Sequence, residues 1–129
     1  MCSMLTGALR YKVPVMLDIN VMPLLVPNPA DGTVMAYCTD YATVRAVRLG
    51  ANSGSILWTQ SGQFGGSSMP TVVGNSIVLA GPGQFYAFDR DTGAPNHFHQ
   101  GTVHGGGGTT VAYDSARQHI YVLELDSAG

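Results

Sequence analysis

From residue 22 to residue 124 the apolar positions come in short runs rich in Val, Ile, Tyr and Thr, each closed by Gly, Asn, Asp or Pro. Short runs of β-branched and aromatic residues between turn formers are the pattern of strands, and no stretch keeps the period of an amphipathic helix. The predicted strands are Met22–Val26, Thr33–Cys38, Thr43–Arg48 and Ile56–Gln60. A second series follows at Thr71–Val73, Ser76–Ala80, Phe85–Asp89 and Asn96–His99, and a third opens with Thr109–Tyr113 and His119–Leu123. The expected class is all-β with antiparallel sheets.

The series are copies of one another. Val34, Ile77 and Ile120 stand at successive intervals of 43 residues, and the segments beginning at Thr33, Ser76 and His119 align without gaps. Asn52-Ser53-Gly54 and Asp91-Thr92-Gly93 form a second anchor pair, 39 apart. The difference falls in the turns, where Pro27 to Gly32 is longer than the tight Gly74-Asn75 connection, and turns are where repeats tolerate changes of length. Four short strands per unit of roughly 40 residues is the pattern of a β-propeller blade.

Ala87-Phe88-Asp89-Arg90-Asp91-Thr92-Gly93, followed by Ala94 and His97, resembles the quinoprotein-type (PQQ-like) repeat Ala-x-Asp-x-x-Thr-Gly-Lys-x-x-Trp, with Ala94 at the lysine place and His97 at the tryptophan place. In the first unit Gly54 and Trp58 keep their places, while the turn gains two residues and lacks the Asp. The resemblance implies four-stranded antiparallel blades of a quinoprotein alcohol dehydrogenase-like propeller. The blades run over about 22–60 and 69–99, with an incomplete one over 109–129. Residues 1–21 are then expected to be an N-terminal segment, the remnant of a preceding blade. Propellers close with about four to eight blades, so two and a half imply a piece of a longer protein.

The motif residues have structural work to do. Asp89, Asp91, Thr92 and Gly93 form a turn in which the carboxylates can accept backbone N–H bonds and the glycine can take positive φ. Trp58 is expected to lay its ring against the neighbouring blade.

Composition narrows the chemistry. Charged residues make up 11% of the chain, the net charge is −2 and the basic residues are scattered, so no positive stripe exists to follow a phosphate backbone. No run of 18 apolar residues marks a membrane-spanning helix, and the N-terminus lacks the pattern of a secretory signal. The resemblance points to a periplasmic or extracellular setting; the residues themselves leave the compartment open. Cys2 and Cys38 do not form a metal motif.

His97, His99 and His104 are the candidates for a metal site, because alternation would place His97 and His99 on one strand face. The family's use of the His97 position for a packing tryptophan favours a structural role instead. Asp40 and Asp114, at strand ends without a partner carboxylate or His, read as turn residues, and Gly105–Gly108 lacks the helix and cation of a phosphate cradle. No catalytic or cofactor-binding residue is predicted.

Quinoprotein dehydrogenases, as the resemblance implies, hold pyrroloquinoline quinone and calcium in the central funnel, and many carry a disulfide between adjacent cysteines. Cys2 and Cys38 could not reproduce that pair. The leading expectation is a non-enzymatic binding or assembly scaffold whose partner is a protein or further blades. The alternatives are a fragment of a PQQ-dependent dehydrogenase with its catalytic residues outside this chain, and a sensor or adhesion module.

Overall fold

The computed structural model describes residues 8–15, 17, 21–62, 64, 69–81, 84–96 and 111–122, and among them every regular element is a strand. The first sheet contains β1 (Leu24–Asn28), β2 (Thr33–Thr39), β3 (Thr43–Leu49) and β4 (Gly54–Ser61). The second contains β5 (Thr71–Val73), β6 (Ser76–Gly81), β7 (Gln84–Asp89) and β8 (Pro95–Asn96). A hairpin of β9 (Val111–Asp114) and β10 (His119–Val122) forms the third. Within each sheet the strands lie in chain order and every pair is antiparallel.

The strand ends differ from the pattern-based reading where backbone pairing overrides side-chain type. β1 starts two residues later than Met22 and runs through Pro27 to Asn28; it is an edge strand, where a proline costs no ladder bond on its outer side. β4 starts at Gly54 because Arg48 and Leu49 already pair with Ser55 and Gly54 before the apolar run begins at Ile56. The parts of the predicted Asn96–His99, Thr109–Tyr113 and His119–Leu123 strands beyond Asn96, before Val111 and after Val122 lie outside the described residues.

Alternation along the second strand of each sheet divides the core into layers. Met35 and Tyr37 of β2 face the second sheet and meet Ile77 and Leu79 of β6, with Val44, Ala46, Trp58, Phe64 and Phe88 completing the layer. Val78 and Ala80, on the other face of β6, pack with Val111, Ile120 and Val122 of the hairpin. Ala36 and Cys38, on the far face of β2, pack with Val47 and with Val13 and Val15 of the N-terminal segment. Ile77 and Ile120, 43 residues apart, thus both face the preceding sheet. The sheets are stacked in one sense, each presenting equivalent positions to its neighbour.

Phe64 joins the first two sheets. Its amide donates to the Tyr41 carbonyl at 3.2 Å, while its ring packs edge-on against Tyr86 and Phe88 at centroid distances of 4.9 and 5.7 Å. Between the second and third sheets the Thr71 hydroxyl donates to the Val111 carbonyl.

The N-terminal segment lies across the outer face of the first sheet. Tyr11 donates its hydroxyl proton to the Gly50 carbonyl at 2.7 Å, and Arg10 donates to the Ala51 carbonyl at 3.2 Å. A Cβ on Gly54 would stand 2.5 Å from Val13 and 2.8 Å from the Tyr11 ring, so the glycine is what lets the segment approach.

Candidate functional site

The repeat motif and Trp58 meet at the seam between the first two sheets. Ala46 pairs with Trp58 but Val47 pairs with Ile56, which leaves Leu57 as an extra residue on β4. Such a bulge shifts the phase of the strand. Here it turns Trp58 inward beside Ala46, and the indole, 8% exposed, lies 6.1 Å from the Tyr37 ring and 6.4 Å from Phe88. Its Nε1–H donates to the Arg90 carbonyl at 3.1 Å, and the Tyr37 hydroxyl donates to the same oxygen at 3.3 Å. Burial raises the Tyr37 phenol above its ordinary range, so the hydroxyl keeps the proton it donates.

The turn that receives the indole is built by Asp89. Its Oδ1 accepts from the Asp91 amide (3.1 Å), the Thr92 amide (2.8 Å) and the Thr92 hydroxyl (2.8 Å), and its Oδ2 accepts from Asn75 Nδ2 (2.8 Å). The Thr92 amide and hydroxyl, chief among these donors, hold the carboxyl below the ordinary range. Gly93 closes the turn with φ 74°, and a Cβ there would stand 2.6 Å from the indole Cδ2. Asp91 is largely solvated.

The other described aspartates do similar work. Asp31, bonded by the hydroxyl and amide of Thr33 and by Arg48, is held at about 2. Burial pushes Asp40 up, but the Thr43 hydroxyl, the Ala42 and Thr43 amides and Arg45 outweigh it and hold the group low. Asp114 is lowered first by Arg117 and then by turn amides. Each is a turn acceptor. Cys38 is a free, buried thiol pushed up by burial.

Two concavities flank this frame. A cleft of about 350 Å³ opens at one end of the seam between Val26, Pro27, Met35, Arg48, Leu57 and Arg90. An apolar groove of about 300 Å³ runs between the N-terminal segment and the outer face of the first sheet, lined by Tyr11, Val13, Leu25, Cys38 and Val47 among others.

No protein-family model and no curated protein matches the chain.

The structure therefore brings together Trp58, Asp89, Thr92 and Gly93 at one seam. It places Gly54 away from it, under Tyr11 and Val13. His97, His99 and His104 lie outside the described residues, as does Cys2. Among the described residues no three His, Cys, Asp or Glu side chains gather as a metal site, and no helix is long and apolar enough to cross a membrane. Arg90 and Tyr37 are the seam residues that sequence reasoning passed over. Arg90 enters through its main-chain carbonyl, which no side-chain pattern marks; Tyr37 is an aromatic on the inward phase of β2, and that phase was its available signal.

Proposed function

We propose that the chain carries repeats of a PQQ-like β-propeller and serves as a non-enzymatic binding or assembly scaffold. The observation that carries the reading is the stacking of sheets in one sense at a 43-residue step, each with the same phase of its second strand turned to its predecessor. Radial repetition of four-stranded meanders is how propellers assemble. The Asp-x-x-Thr-Gly turn clasping Trp58 of the neighbouring sheet supports the repeat type. The scaffold role is supported by the use of Asp31, Asp40, Asp89 and Asp114 as turn acceptors, which leaves them ionised and already bonded rather than poised to exchange protons.

Two measurements test this. With pyrroloquinoline quinone and calcium added, the scaffold reading predicts no saturable quinone binding and no dye-linked oxidation across alcohols and sugars. Protein isolated at its native level should carry a stoichiometric protein partner on native mass spectrometry. Dye reduction that depends on both additives would overturn the reading in favour of an oxidoreductase.

A further inference from the structure

The repeat that stacks the sheets leaves one residue on each side of the described stack without its counterpart. Met35, Val78 and Tyr121 stand 43 residues apart, as do Ala36, Leu79 and Val122. Met35 packs in the layer that contains Leu79, and Val78 packs in the layer that contains Val122. At each internal seam, therefore, the first series of one sheet meets the second series of the next. Tyr121 and Ala36 are left over, and among the described residues no sheet lies opposite either. Tyr121 is 50% exposed, whereas Val78 at the same register is fully buried. Its ring neighbour is His119 of its own strand, at a centroid distance of 6.1 Å, and Ala112, paired with it across the hairpin, is small and exposed. The ring therefore projects as an uncovered knob.

Ala36 lies on the opposite side of the stack, in the apolar groove of about 300 Å³ that it lines with Cys38, Val47, Val13 and Leu25. No charged side chain lines this groove, and Leu25, 57% exposed, leaves it open to solvent. An apolar cavity of about 150 Å³ already holds a benzene ring, so a phenol ring has room here. We propose that the groove receives Tyr121 of a second copy of the chain, so that copies associate head to tail and the register of the stack continues across the contact. Each copy supplies one knob and one hole, a heterologous arrangement that closes a ring or runs on as a filament. The N-terminal segment stays in place as one wall of the groove, and the tyrosine hydroxyl remains at the mouth, in water. The inference rests on the repeat register of the sheets and not on the scaffold role.

Sedimentation velocity of the full chain at rising concentration tests this. Species heavier than the monomer should appear by about 1 mM, and the methyl resonances of Leu25 and Val47 should move with them as a ring enters the groove. Tyr121→Asp should weaken association about tenfold or more, while Tyr121→Phe, which keeps the ring, should leave it within about twofold. Leu25→Asp puts a charge at the groove and should also weaken association about tenfold or more. Mixing then tests the head-to-tail sense. Tyr121→Asp keeps the groove and Leu25→Asp keeps the knob, so the two variants, each largely monomeric alone, should form an equimolar pair that grows no further. A chain that stays monomeric at about 1 mM with its Trp58 near-UV signal intact overturns the proposal and leaves the repeat reading standing; the same result without that signal overturns both. Association that survives both substitutions, or variants that fail to pair when mixed, also overturns the proposal. The sedimentation and methyl readouts use the unsubstituted chain and stand even where a variant loses its near-UV circular dichroism.

Discussion

Two glycines with the same backbone habit show what the seam adds at the scale of one residue. Gly74 (φ 58°) and Gly93 (φ 74°) both occupy the left-handed region, which costs a residue with a Cβ about 1–3 kcal/mol. A Cβ on Gly74 meets nothing within 4 Å, whereas one on Gly93 would strike the indole of Trp58. Gly74→Ala should therefore lower stability by about 1 kcal/mol and Gly93→Ala by about 3 kcal/mol or more, read from urea midpoints of Trp58 fluorescence. Equal losses would mean that the indole does not rest on this turn. The need for glycine at position 93 was legible in the Asp-Thr-Gly motif. Its contact with Trp58 was legible only as an inter-blade expectation, since the bulge at Leu57 that aims the ring has no glycine or other mark in the sequence.

At the scale of the element, strands were readable and their connections only partly so. Thr71–Val73 is bounded as its β-branched run predicts, while β4 outruns its apolar stretch because ladder bonds continue through Gly54 and Ser55. The segment Arg10 to Val15 shows no register in the sequence; it is fixed by Tyr11 reaching the Gly50 carbonyl, 39 residues away, and by Val13 and Val15 packing on β2 and β3. The turns carry a pH dependence of definite sign. Asp31, Asp40, Asp89 and Asp114 all titrate below the ordinary carboxylate value of 3.8 in the folded chain, Asp31 at about 2. Their contribution is complete above the unfolded-state pKa and disappears as pH falls through the folded ones. Urea midpoints should be flat with respect to these groups above a pH of about 4 and should fall between about 4 and about 2. Asp89→Asn keeps a turn acceptor but cannot titrate, so it should flatten part of that slope; an unchanged slope would remove Asp89 from the account.

For the whole molecule, the repeat leaves one face of the first sheet to be covered by something other than a sheet. Ala36, which stands at the repeat position of Leu79, lies on this face with Cys38 and Val47, and the N-terminal segment covers them. In a Cys2→Ser background, Cys38 should react slowly with an aromatic disulfide reagent, being 4% exposed with its thiol pushed up by burial. Val13→Asp puts a charge into this layer and should speed the reaction several-fold while leaving the Trp58 signal of the opposite face in place; an unaltered rate would show that the segment does not cover this face.

The first two sheets are clasped by Trp58 on the Asp89–Gly93 turn. Proton NMR of the full chain tests this most directly. The expected result is Gly93 α-protons shifted upfield by the indole ring current, nuclear Overhauser contacts from them to the Trp58 ring, and slow exchange of the indole N–H bonded to the Arg90 carbonyl. Gly93 α-protons at random-coil positions, without contacts to the ring and with a freely exchanging indole N–H, would contradict it.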